Sequence, residues 1–224
     1  MTQPAPDMTP QVEPMRTMLA QVGIPLTDEQ VELLDRYRIA LWTWNERMNL
    51  TRHTTLEKFV TRDVVDSHEL GKLLDRGERV LDVGTGGGVP GVILAILRSD
   101  LAMSVCDSTQ KKARVVEDIV GQLALPVHVY ANRVNEVLEI STFDTLVARG
   151  LAPLGKVLNW LDPYWEAFDR LLLIKGPFWV NERAEARHHG QMRGLELRKA
   201  ATYHTPGTGA ESVILSITRE GMTD

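Results

Sequence analysis

Apolar residues recur along this chain with two different periods, and the change falls near Arg79. Before it, Val31, Leu34, Ile39, Leu41 and Trp42 are spaced as the buried stripe of a helix that Thr27 opens over Asp28, Glu29 and Gln30. A shorter helix is predicted from about Met15 to Val22, closed by Gly23 and Pro25. A further one is capped by Thr54, with Glu57 three positions on and an apolar face of Phe59, Val60, Val64 and Val65. Residues 1–14 contain Pro4, Pro6, Pro10 and Pro14 and little apolar surface, so they are expected to form a flexible tail.

From Arg79 onward the pattern becomes short apolar runs separated by glycines or helical segments, as in βαβ units of a buried parallel sheet. Strands are predicted at Arg79–Val83, Leu101–Cys106, Val127–Tyr130, Phe143–Ala148 and Leu171–Ile174, with helices near 89–98, 109–123 and 153–163. Such alternation builds a doubly wound α/β sheet. After a helix near 179–192, two strand-like segments, Leu195–Tyr203 and Glu211–Thr218, are joined by the turn-rich Thr205–Ala210. With no helix between them, they predict an antiparallel hairpin at the sheet edge.

A chain of 224 residues can bury such a core without disulfides or metals. Cys106 is the single cysteine, and neither a CxxC pair nor a zinc-spaced His/Cys cluster occurs, so a reducing compartment is expected. The first residues lack a secretory pattern and no apolar run approaches the ~20 residues of a membrane span. A cytoplasmic protein without membrane association follows, and a monomer is expected. The net charge of −5 means that any nucleic acid has to be met by a local basic face.

Candidate chemistry concentrates at Val80-Leu81-Asp82-Val83-Gly84-Thr85-Gly86-Gly87-Gly88-Val89-Pro90-Gly91, a strand turning through glycines into a helix. Glycines there let the backbone pass close to a ligand and expose amides at the helix N-terminus, with Gly84 and Gly86 as candidate cofactor contacts. Gly86, Gly88 and Gly91 match the dinucleotide pattern GxGxxG, a weak signal alone. Asp82 points the other way: a carboxylate before the glycines repels a pyrophosphate and attracts a methionine ammonium. Asp107, at the end of the next strand, suits both hydroxyls of a ribose in either kind of cofactor, or simply caps a helix. Cys106 lies in an apolar strand and reads as core, not as a nucleophile. Asp162-Pro163-Tyr164-Trp165 reads as a turn after a helix, unlike the Asn/Asp-Pro-Pro-Tyr/Phe segment of amino-group methyltransferases, which would follow the fourth strand.

Over nearly its whole length the chain resembles the bacterial small-subunit ribosomal RNA guanine-N7 methyltransferases, the RsmG or glucose-inhibited division protein B family. The likeness rests on Trp44-Asn45 with Asn49-Leu50-Thr51, on Val65-Asp66-Ser67, and on the Leu81-to-Gly91 loop. It continues through Asp107-Ser108 with Lys111-Lys112, Arg133-Val134, Ala148-Arg149 and Lys175-Gly176. The resemblance implies a Rossmann-like S-adenosylmethionine-dependent methyltransferase sheet of five parallel strands plus a C-terminal antiparallel hairpin over residues 77–224, preceded by an N-terminal helical extension over 15–76. It implies that Gly84, Val89, Val134, Asn135 and Arg149 line the S-adenosylmethionine pocket with Asp107 on the ribose, and that the partner is 16S ribosomal RNA or the small subunit. Two residues depart from the family: Asn135 stands where Glu is usual, leaving only its backbone role, and Asp63 stands where a His is usual.

Guanine N7 has an in-plane lone pair and no proton, so no general base is required and no catalytic residue is assigned beyond positioning. Arg149 and Lys175, after the fourth and fifth strands, are candidates for RNA contact, and Arg149 alternatively for the cofactor carboxylate. Basic groupings at Arg47, Arg52, His53, Lys58 and Arg62, at Lys111, Lys112 and Arg114, and from Arg183 to Arg193 can supply phosphate contacts if they converge at the pocket mouth. Competing readings are an NAD(P)-dependent oxidoreductase, which the GxGxxG match and Asp107 allow, and a catalytically silent RNA-binding or assembly factor.

Overall fold

The computed structural model describes residues 6–221. Its centre is a seven-stranded sheet of order β3-β2-β1-β4-β5-β7-β6. The parallel strands are β1 (Arg79–Val83), β2 (Ala102–Cys106), β3 (His128–Tyr130), β4 (Phe143–Arg149) and β5 (Phe168–Lys175). The predicted hairpin, β6 (Leu195–His204) and β7 (Glu211–Arg219), closes the sheet antiparallel to β5. The order in which successive strands are added switches sides between β1 and β4, which opens a crevice at the carboxyl ends of these parallel neighbours.

Side chains that alternate along each strand feed two separate cores. In β5, Leu172 and Ile174 join one cluster while Leu171 and Leu173 join the other. The second cluster is completed by α7 (Val134–Leu138), α8 (Leu154–Leu161) and α9 (Trp179–His188). The first contains α5 (Gly91–Leu97) and α6 (Gln110–Gln122), together with α1 (Val12–Gln21), α2 (Asp28–Asn45), α3 (Leu56–Lys58) and α4 (Val65–Gly71). Met15, Leu41 and Phe59 thus share one core with Ile93 and Ile119, so the helical extension is built onto a face of the sheet.

Three expectations are corrected at the amino end. Of the segment read as a flexible tail, Met8 and Val12 pack against the core and α1 begins at Val12; residues 1–5 lie outside the described residues. The hold is polar, which an apolar inventory misses: the buried Arg38 guanidinium, paired with Asp35, donates to the carbonyls of Asp7 (2.5 Å) and Thr9 (2.7 Å), and Asp35 accepts from the Gln11 amide. The cap of α3 is Thr55, which accepts from the Lys58 amide, because the helix starts one residue later than predicted. Between α3 and α4 the chain widens into a π-helical turn, Phe59–Val64. That wider turn buries Asp63 together with Phe59, Val60 and Val64.

Candidate functional site

The carboxyl end of β1 carries the glycine loop, and Asp82 is turned back beneath it. One oxygen, Oδ2, accepts from the Thr85 hydroxyl (2.6 Å) and the Gly91 amide (2.9 Å). The other, Oδ1, is buried without a partner among the described residues. Burial pushes the Asp82 carboxyl up to about 6, against the opposing effect of these hydrogen bonds. A β-carbon at Gly91 would lie 2.5 Å from Val105 and 2.8 Å from Asp82, so glycine is what lets the helix start pack on the strands.

The loop's amides are mostly spent inside the protein, contrary to the expectation of free donors. Gly84 and Thr85 donate to the Cys106 carbonyl, Gly88 and Val89 to the Thr85 carbonyl, and Gly86 to Asp107 Oδ2 (3.0 Å). Asp107 Oδ1 accepts from the Thr109 amide just before α6, so this carboxylate ties the loop and also serves the helix start. A turn with its N–H groups satisfied and two carboxylates against it offers little to a pyrophosphate and favours a ligand bearing positive charge.

Beside the loop lies a cleft of about 240 Å³. Gly84, Val134 and Asn135 of the predicted residues line it, whereas Gly86, Val89, Asp107 and Arg149 are not in its wall. Cys106, Ser108, Leu151 and Trp160 also line it. Cys106 is buried, which pushes its thiol up to about 12 and keeps it protonated at neutral pH. Sequence reasoning missed Trp160; its helix, α8, is amphipathic, but only the packing of α8 beside β4 turns that residue to the cleft.

Arg149 ends β4 in a cluster that joins the helical extension to β4 and β6. Its Nη2 pairs with Asp63 Oδ1 (2.7 Å) and its Nη1 with Asp66 Oδ2 (3.1 Å). Burial would lower the guanidinium's pKa, but the two aspartates hold it above its ordinary value. Asp66 Oδ1 accepts from the Tyr203 hydroxyl (2.7 Å), whose pKa burial and Asp66 both raise. Asp63 Oδ1 also meets His53 Nδ1 at 2.7 Å, so an imidazole stands beside the position where Asp63 replaces the family's His. Lys175, the other candidate for RNA contact, gives its ammonium to the Ala152 carbonyl (2.6 Å) and Glu182 (2.7 Å), tying the β4 and β5 loops together. Other basic residues remain exposed on the carboxyl rim, namely Lys111 and Arg114 on α6 and Arg133 at the cleft, while Arg62 bonds Thr205.

This sheet order, with its carboxylate-flanked loop at the switch between β1 and β4, defines the class of S-adenosylmethionine-dependent methyltransferase folds. Solved structures of that fold are similar: TrmK of M. capricolum in complex with S-adenosylhomocysteine (TM-score 0.54, 15% identity, 71% of this chain and 70% of that one) and a SAM-dependent O-methyltransferase of Thermotoga maritima (0.53, 17%, 90% and 74%). A model of the GidB family, described as rRNA small subunit methyltransferase G, matches residues 30–213. Proteins named ribosomal RNA small subunit methyltransferase G are 50% identical in Rhodopirellula baltica, over 84% of this chain and 81% of that one, and 39% identical in Chromobacterium violaceum, over 91% and 96%. The chain belongs to the rRNA small subunit methyltransferase G family.

Proposed function

We propose that this protein methylates N7 of a guanine in small-subunit ribosomal RNA, using S-adenosylmethionine held between the glycine loop and the cleft. The observation that carries the cofactor reading is the loop itself, most of whose amides are spent inside the protein and against which the carboxylates of Asp82 and Asp107 stand. Their negative field suits the ammonium of a methionine moiety. Asp107, each of whose oxygens accepts one amide, keeps lone pairs for ribose hydroxyls. Val134 and Asn135 form the wall along which the adenine lies, and Asn135 needs only its backbone there. Arg149, with N–H donors beyond those given to Asp63 and Asp66, is assigned to the methionine carboxylate.

S-adenosylmethionine, when bound, supplies an electrophilic methyl group on a sulfonium sulfur. The chain's own task is to orient the base and the cofactor toward each other, an effect of about 7–11 kcal/mol at best. No side chain has to remove a proton from N7, and the protonated Cys106 fits a wall and not a nucleophile. The RNA backbone is met by the exposed Lys111, Arg114 and Arg133 on the rim. Against the dinucleotide reading that the GxGxxG match allows stands Asp82, whose carboxylate a pyrophosphate in the loop would face.

Calorimetric titration with S-adenosylhomocysteine and NAD, followed by transfer of a labelled methyl group to 16S RNA and mass mapping of the product, tests this. Binding of the thioether alone and a single N7-methylguanine are expected. Tighter binding of NAD, or label on another base atom, would refute it.

A further inference from the structure

The buried Asp63 carboxylate is shared between two partners that come from different parts of the fold. Oδ1 takes both the Arg149 guanidinium at the end of β4 and His53 Nδ1 from the loop before α3, each at 2.7 Å, while Oδ2 is buried with no partner among the described residues. Asp63 is fully buried on the π-helical turn, and Arg149 also touches Asp66, which Tyr203 of β6 holds. The Asp63 and Asp66 backbones are fixed in the extension, and the Ser67 hydroxyl bonds the Asp63 carbonyl. The orientation of the Asp63 carboxylate about its last torsion is therefore set by what its oxygens bond, and His53 is the second donor on the shared oxygen.

From this geometry we propose that His53 is a positioning residue for methyl transfer: it locks the Asp63 carboxylate so that Oδ1 faces Arg149, and thereby aims the guanidinium at the cofactor's methionine end. The proposal rests on the assignment of Arg149 to the cofactor made above. Without the imidazole, the carboxylate can turn to offer both oxygens to Arg149 and draw the guanidinium toward the π-helical turn. The part of His53 that matters is then Nδ1 as a hydrogen-bond donor, not the ring's size and not its outer nitrogen.

Asparagine and glutamine separate these possibilities, because an Asn amide nitrogen can stand where Nδ1 stands and a Gln amide reaches toward the position of Nε2. In the full chain, His53→Leu is expected to weaken S-adenosylhomocysteine binding and lower kcat/KM about tenfold, as for loss of a charge-assisted hydrogen bond. His53→Asn should recover most of both, and His53→Gln should not. In an Asp63→Asn background the effect of His53→Leu should shrink to near nothing, since the residue acts through that carboxylate. If His53→Leu fails to fold, the Asn and Gln variants alone decide. Equal binding and turnover by these two, or an undiminished His53 effect beside Asp63→Asn, would overturn the proposal. A wild-type chain that fails to bind S-adenosylhomocysteine would overturn the reading of the cofactor site, and this proposal with it.

Discussion

Asp82 is where single-residue chemistry has the largest consequence. Its carboxyl titrates near 6 in the folded chain against an ordinary 3.8, with burial as the main cause. Between about pH 4 and 6 the folded chain keeps a proton that the unfolded chain releases, so stability falls as pH rises through that window, by about 3 kcal/mol in all. Above it Asp82 is charged in both states and the cost is fully present. Asp82→Asn should flatten this slope in denaturant unfolding measured at pH 4, 5, 6 and 7. A cationic ligand gains as Asp82 ionises, so the thermal shift produced by S-adenosylmethionine should be larger at pH 7.5 than at pH 5. An equal shift at both values would remove Asp82 from the site. Gly91→Ala drives a β-carbon into Val105 and Asp82. It should cost about 1–3 kcal/mol of stability, with cofactor binding lost, read by melting and calorimetry.

At the scale of elements, the glycine loop is braced from outside by α2. The Tyr37 hydroxyl, fully buried, donates to the Gly87 carbonyl (2.9 Å), and a β-carbon at Gly87 would sit 2.6 Å from Leu41. Burial raises the Tyr37 pKa well above its usual value, so the donor proton stays in place. Tyr37→Phe leaves that carbonyl unpaired and should cost about 1–3 kcal/mol. If α2 holds the loop in its binding shape, cofactor affinity should fall with it; an unchanged affinity would make α2 a support of stability alone. The extension was readable as helices from its apolar spacing, and the Thr27 capping box is present as its residues imply. The π-helical turn was not, because the apolar stripe of Phe59, Val60 and Val64 fits an ordinary helix equally well.

On the scale of the molecule, the net charge of −5 leaves RNA attraction to a local rim. Lys111 and Arg114 stand at the start of α6, directly after the strand that ends at Cys106. Exchanging both for Gln should weaken RNA binding and make its dependence on salt shallower by up to about two in the logarithmic slope, leaving S-adenosylhomocysteine affinity unchanged. Filter binding across a salt series measures this, and an unaltered slope would place the RNA elsewhere. Among the described residues no helix is long and apolar enough to cross a membrane.

Local sequence was sufficient for the sheet, the hairpin and the glycine loop, because their periodicities and turn residues report neighbours a few positions away. Asp82 and Asp107 could be singled out as candidates for the same reason, since strand ends are local events, whereas Val134 entered through the resemblance to a family. What only the tertiary structure decided are the long-range partners of polar groups. The sequence places Lys175 at a strand end, where ligands bind, but packing supplies Glu182 and the Ala152 carbonyl to occupy it. Arg38 holding the amino-terminal segment, and His53 meeting Asp63 and through it Arg149, likewise depend on where distant backbones come to rest. A charged side chain's role is set by the carboxylate or carbonyl within 3 Å of it, and no pattern along the chain encodes that distance.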